Sequence, residues 1–114
     1  HNSKLILTIA LSYGSQSEIA GAMRIIGEKI KKGELSAEDI SEEMITRHLD
    51  TADLPDPDLL IRTSGEKRLS NFLLWQCAYT EFVFLDTLWP DFRKEDLMAA
   101  VAEYGNRNRR YGAL

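Results

Sequence analysis

The chain has 114 residues, a length for one domain or part of one, and its 44% apolar and 28% charged residues are ordinary for a soluble globular protein. A formal net charge of -4 argues against general nucleic-acid binding. No apolar run approaches the ~20 residues that span a membrane, no signal peptide is visible, and the single Cys77 excludes an internal disulfide framework and fits a reducing compartment.

The chain opens at His1 without an initiator Met and enters a strand-like run at once, as a piece of a longer protein would. Lys4-Leu5-Ile6-Leu7-Thr8-Ile9-Ala10-Leu11 is nearly continuous apolar, which predicts a strand covered on both faces, as in a parallel sheet. Ser12-Tyr13-Gly14 ends it. Ser15 followed by Glu18 has the form of a capping box, and Ile19, Met23, Ile26 and Ile30 then make one apolar stripe on a helix. Lys29, Lys31 and Lys32 suit the dipole of its last turn, and Gly33 can end it.

Ser36 is read as the cap of a short helical turn, and Ser41 as the cap of a segment carrying Met44, Ile45 and Leu49. The acidic residues Glu38, Asp39, Glu42 and Glu43 fall in those first turns and read as a solvated face rather than a metal site. His48 has no second His or Cys at ligand spacing and reads as a helix-end residue. Asp53-Leu54-Pro55-Asp56-Pro57-Asp58 is a rigid turn.

The next stretch organises the rest. Leu59-Leu60-Ile61-Arg62 reads as a strand, Thr63 to Arg68 as a polar loop, and the chain then enters an apolar helical run through Ser70-Asn71. Cys77 lies in that run and reads as a small core residue. Phe82-Val83-Phe84-Leu85 is a third short strand, and Trp89-Pro90-Asp91-Phe92 turns the chain. A last helix carries Leu97, Val101 and Tyr104 on one face, and the tail gathers Arg107, Arg109 and Arg110. Three buried-looking strands alternating with helices predict an α/β fold with a parallel sheet. So few strands leave one flank as an open apolar edge, so the expected architecture is an incomplete domain.

Ligands of open α/β sheets bind beyond the carboxyl ends of the strands, where Arg62 stands. With Arg68 and Ser70 beside a helix N-terminus, the pattern suits a phosphate or diphosphate, since unpaired first-turn N–H groups and charge-assisted arginine bonds both favour an anion. Arg62 also reads as a surface arginine, and Ser70 or Asn71 as a plain helix cap. There is no P-loop or G-x-G-x-x-G pattern, and no Ser-His-Asp or Cys-His constellation. Glu81 is a carboxylate that could join Mg²⁺ on a diphosphate, or a turn residue in solvent. Glu66 reads as the partner of Lys67 or of an arginine.

At Ile61-Arg62-Thr63-Ser64-Gly65-Glu66 and Arg68-Leu69-Ser70-Asn71-Phe72-Leu73-Leu74-Trp75-Gln76 the chain closely resembles the cis-prenyltransferase family, best its undecaprenyl diphosphate synthase branch. The likeness continues through Ala78-Tyr79-Thr80-Glu81-Phe82, Leu88-Trp89-Pro90-Asp91-Phe92 and Arg109-Arg110-Tyr111-Gly112, and covers essentially the whole chain. Ser12-Tyr13-Gly14 and Glu18-Ile19 resemble the family's Asn-Tyr-Gly-Gly-Arg-x-Glu/Asp-Ile segment, with Ser12, Ser15 and Gln16 departing from its asparagine, glycine and arginine. The family's Asp-Gly-Asn-Gly-Arg-Trp segment, which holds the allylic diphosphate and the metal-binding aspartate, is absent.

The resemblance implies the C-terminal part of a single cis-prenyltransferase domain spanning residues 1–114, its N-terminal part missing. It implies an enzyme that condenses isopentenyl diphosphate onto farnesyl or another allylic diphosphate, making the lipid-carrier precursor for bacterial cell-wall synthesis, with Mg²⁺ required. Arg62, Arg68 and Ser70 would hold the isopentenyl diphosphate, Glu81 would assist the metal, and Arg110 and Gly112 would reach the neighbouring subunit's site in a homodimer. The aromatic segment from Phe82 to Trp89 is the candidate interface. A cytoplasmic location with peripheral membrane contact during product release is implied as well. A non-catalytic accessory subunit of a heteromeric enzyme is the alternative, which the retained Arg62, Arg68, Ser70 and Glu81 oppose.

Overall fold

The computed structural model describes residues 5–107. In chain order it holds helix α1 (Ser15–Lys31), a single 3₁₀ turn (Ala37–Asp39), helix α2 (Glu42–Arg47), strand β1 (Leu59–Arg62), strand β2 (Glu81–Phe84), a second 3₁₀ turn (Trp89–Asp91) and helix α3 (Lys94–Gly105). It is an α/β arrangement: β1 and β2 pair in parallel, Leu59 opposite Glu81 and Arg62 opposite Phe84. Among the described residues the sheet has two strands, one fewer than expected. α3 packs on both, and Val83, 2% exposed, is the buried centre of β2.

The expected first strand is where the difference lies. Residues 5–11 take no ladder, and Leu5, Ile6, Leu7, Ile9 and Leu11 are each more than 70% exposed. An apolar run becomes a strand only when a neighbour accepts from its N–H groups and donates to its C=O groups, and none of the described residues pairs with it in a ladder.

The stripe expected on α1 is partly covered. Ile26 and Ala22 are buried, whereas Met23 is exposed. Lys29 and Lys31 occupy its last turn and Gly33, at φ 80, follows it in the left-handed conformation that glycine adopts without strain. The capping roles read for serine hold for two of three. Ser36 makes a box with Asp39, and Ser41 Oγ accepts from the Met44 N–H at 3.1 Å. The N-cap of α1 is instead Gly14, with no side-chain bond of its own.

His48 stands at the C-cap of α2. Its Nδ1 lies 2.8 Å from Met44 O and its Nε2 3.0 Å from Lys29 Nζ. The carbonyl makes Nδ1 the protonated nitrogen, so Nε2 accepts from the lysine. This is the helix-end role the sequence suggests. Cys77 is buried, and burial pushes its thiol up, as befits a core residue rather than a nucleophile. On α3 the buried residue is Ala100, at 1% exposure, while Leu97 and Val101 are each a little under half exposed.

Candidate functional site

β1 ends at Arg62, and its carbonyl accepts from Leu85 N–H at 2.8 Å. The chain then turns through Ser64 (φ 68) and Gly65 (φ 70), whose N–H groups reach Thr87 O and Leu85 O, both at 2.8 Å. These bonds extend the sheet's rim past its last regular residue and fix the direction in which the loop leaves.

The expected helix after Ser70-Asn71 does not form. Ser70 (φ 51), Asn71 (φ 66) and Leu73 (φ 47) all sit in the left-handed region, and residues 72–79 run as bends and turns. Each such non-glycine residue costs on the order of 1–3 kcal/mol, so outside contacts must hold the conformation. They come from α1: Asn71 O accepts from Ser15 N–H at 2.8 Å, and Ser15 Oγ accepts from Leu74 N–H at 2.9 Å. Tertiary bonds have overridden the local helical pattern, and the anion site built on a helix N-terminus goes with it.

The arginine–serine group nevertheless assembles. Arg62 Nη1 donates to Ser70 Oγ at 3.0 Å and to the Arg68 carbonyl. Both bonds use Nη1, so Nε and Nη2 carry none among the described residues and can turn to a ligand. The Arg68 side chain reaches back to Glu66, in solvent, so Glu66 has the arginine partner expected of it. A pocket of about 230 Å³ lies against this group, lined by Leu60, Ile61, Arg62, Arg68, Leu69 and Phe72. Its lining combines two arginines with apolar side chains.

Glu81 is not brought to this group. It opens β2 opposite Leu59, three ladder steps from the level of Arg62. At a strand rise of ~3.3 Å and a spacing of ~4.8 Å, the two backbones stand about 11 Å apart. Its carboxylate lies 3.5 Å from Arg107 Nη1, and Arg107 also donates to the Phe82 carbonyl and pairs with Glu103. Arg110, Tyr111 and Gly112 lie outside the described residues.

A second constellation was not foreseen. The Glu18 carboxylate accepts from Tyr13 Oη, from Asp50 N–H at 2.7 Å and from Gln76 Nε2 at 3.2 Å. Gln76 also donates to Thr51 Oγ1 at 3.0 Å and is 2% exposed. Nearby Tyr13 and two segments distant in sequence thus converge on one carboxylate, beside a cleft of about 730 Å³ lined among others by Ile9, Leu11, Tyr13, Ala22 and Ile25. The sequence marks Glu18 as a capping residue within a segment that resembles the family's, and nothing in its neighbours announces the bonds to Asp50 and Gln76.

Burial, and then the bond to Glu18, push the Tyr13 phenol above its ordinary 10.0. The folded chain therefore holds this proton more tightly than the unfolded one. Its contribution to stability is complete below 10.0 and is lost as pH rises through the higher folded value. Urea midpoints are expected to fall over that alkaline range more steeply in the wild type than in Tyr13→Phe. Parallel pH profiles for the two proteins would contradict this.

Three kinds of comparison agree on the relationship. A prenyltransferase family model described as "Putative undecaprenyl diphosphate synthase" matches residues 1–112. The chain is 54% identical over 114 residues to the ditrans,polycis-undecaprenyl-diphosphate synthase ((2E,6E)-farnesyl-diphosphate specific) of Micrococcus luteus, covering all of this chain and 46% of that protein. It is 57% identical over 113 residues to an isoprenyl transferase of Halalkalibacterium halodurans, covering 99% of this chain and 44% of that protein. Among solved structures, lavandulyl diphosphate synthase from Lavandula x intermedia in complex with dimethylallyl diphosphate superposes with a TM-score of 0.87 at 46% identity, over 90% of this chain and 44% of that one. A probable undecaprenyl diphosphate synthase from Campylobacter jejuni gives 0.70 at 39% identity, over 90% of this chain and 45% of that one. The chain thus spans less than half the length of these relatives. With a family model matched over nearly its whole length, this chain belongs to the undecaprenyl diphosphate synthase family of prenyltransferases.

Proposed function

We propose that this chain carries the isopentenyl diphosphate half-site of an undecaprenyl diphosphate synthase, which adds isopentenyl units in cis to farnesyl or another allylic diphosphate. The observation that carries the reading is the Arg62–Ser70 bond at the carboxyl end of β1, with Arg68 on the same small pocket. Arg62 and Arg68 supply cations for the diphosphate, and the Ser70 hydroxyl orients the Arg62 fork. Leu60, Ile61, Leu69 and Phe72 give the isopentenyl tail an apolar wall. Holding the diphosphate fixes the alkene, so that its attack on the allylic carbon needs no further loss of freedom. As the new carbon–carbon bond forms, the allylic C–O bond breaks to release diphosphate and the isopentenyl unit gives up a proton to solvent, and cations aimed at the growing charge of the departing diphosphate lower the barrier.

The Mg²⁺ that the family resemblance implies does not fit the described residues alone. Among the residues read as site residues Glu81 offers one carboxylate, and Arg107 holds it at the other end of the sheet from the arginine–serine group. Mg²⁺ commonly needs one or two carboxylates with substrate oxygens. We place Glu81 in that metal site only as a contributor to donors supplied from elsewhere.

The working enzyme is a homodimer in this reading, with the aromatic segment from Phe82 to Trp89 at the interface and Arg110 and Gly112 reaching the neighbouring site. Leu88 and Trp89 are 57% and 70% exposed, and the Trp89 ring stacks on Phe92 at 5.5 Å, a rigid apolar surface suited to such a contact. No helix among the described residues is long and apolar enough to cross a membrane. The reading places the enzyme in the cytoplasm, meeting the membrane surface to release its product, the precursor of the cell-wall lipid carrier.

A half-site binds but does not turn over. Incubating the 114-residue chain with farnesyl diphosphate, labelled isopentenyl diphosphate and Mg²⁺ is expected to yield no labelled long-chain product. Measurable product would overturn the assignment of a half-site.

A further inference from the structure

The turn that presents Ser70 to Arg62 is set from outside itself. Asn71 Oδ1 accepts from Gln16 N–H at 2.8 Å, in addition to the bond from Ser15 N–H to its carbonyl. α1 has no side-chain cap of its own at Gly14, so Asn71 supplies from a distant segment what an N-cap residue supplies locally. Gly14 leaves it the room: a Cβ there would stand 3.0 Å from Asn71 Nδ2. The next residue, Phe72, rests edge-on against Tyr13 with ring centroids 5.6 Å apart. The first turn of α1 is therefore a mould for the left-handed pair Ser70-Asn71, and the place of the Ser70 hydroxyl on Arg62 follows from it.

We infer that Asn71 is a positioning residue for the diphosphate cradle: its carboxamide, clamped on the first turn of α1, holds the Ser70 hydroxyl on the Arg62 guanidinium. The inference rests on the function proposed above and assigns Asn71 a role through Ser70 rather than on the ligand. Two substitutions separate the carboxamide from the backbone conformation. Glycine adopts φ 66 freely, so Asn71→Gly removes only the side chain. Asn71→Asp keeps an acceptor of the same shape and tolerates the left-handed region.

Two readouts are taken on the full 114-residue chain. Calorimetry measures affinity for isopentenyl diphosphate, and NMR measures hydrogen exchange of the Arg62 guanidinium and the Gln16 amide. Asn71→Gly is expected to weaken binding roughly tenfold and to speed both exchange rates by a similar factor, the scale of a lost cap. Asn71→Asp is expected to restore the exchange protection. A merely structural role predicts that Asn71→Gly frees Gln16 but leaves Arg62 exchange and affinity unchanged, and that result overturns the inference. If the wild type itself binds no isopentenyl diphosphate, the functional reading falls. The positioning role then stands or falls on whether Arg62 protection is lost in Asn71→Gly and regained in Asn71→Asp.

Discussion

Arg62→Ala is expected to weaken isopentenyl diphosphate binding about 10- to 150-fold, the equivalent of one charge-assisted bond worth ~1.5–3 kcal/mol. The side chain sits at the end of β1, where its Nη1 is already committed to Ser70 Oγ and the Arg68 carbonyl. The guanidinium is thus oriented before a ligand arrives, and little freedom is lost when its remaining N–H groups meet phosphate oxygens. The β1–β2 ladder is made by the backbone, so alanine leaves it in place. Arg62→Lys keeps the charge but not the planar fork and is expected to fall between the two. Calorimetry with each protein, beside circular dichroism to follow the fold, decides the matter. Equal affinities for wild type and alanine variant would sink the role given to Arg62.

The second large effect concerns stability. Glu18→Ala is expected to cost about 2–4 kcal/mol, because it strips the acceptor from a buried amide and leaves two further donors to find water. Gln76 is the sensitive partner: it is 2% exposed, and its Oε1 has no hydrogen-bond partner among the described residues. Losing the carboxylate would leave Nε2 with Thr51 Oγ1 as its remaining acceptor, beside an Oε1 that already has none among the described residues. Glu18→Gln keeps the size and one acceptor oxygen, and should cost nearer ~1 kcal/mol. Urea unfolding reads the difference as a lower midpoint at unchanged slope. A midpoint shift worth less than ~0.5 kcal/mol for alanine would show that water replaces the carboxylate at no cost.

What the sequence shows of this fold depends on how far each decision reaches. β1, α1 and the serine caps at Ser36 and Ser41 are settled by patterns within a turn or two and form where those patterns indicate, while β2 runs Glu81–Phe84, one residue ahead of the expected Phe82–Leu85. The segment after Ser70 is settled by Asn71 reaching Gln16, 55 residues away, and no local propensity carries that information. On α3 the periodicity identifies an apolar face but not what covers it, so Ala100 is buried while Leu97 and Val101 stay partly exposed. Residues 5–11 have the composition of a buried strand without a ladder partner among the described residues.

The site divides in the same way. Arg62, Arg68 and Ser70 straddle one loop, and the Arg62 guanidinium meets Ser70 and the Arg68 carbonyl, while the Arg68 side chain turns to Glu66. Glu81 follows in the next strand, where parallel register sends it to the opposite end of the sheet. A linear reading cannot see register, and so could not tell that Arg107, not the arginine–serine group, is the neighbour of Glu81.

The proposed half-site requires that this chain bind isopentenyl diphosphate without turning it over. Equilibrium dialysis of the 114-residue chain against labelled isopentenyl diphosphate tests it most directly. The expected result is saturable binding of one molecule per chain, displaced by inorganic pyrophosphate and unaffected by adding farnesyl diphosphate. Absence of saturable binding, or binding that pyrophosphate does not displace, would contradict the account.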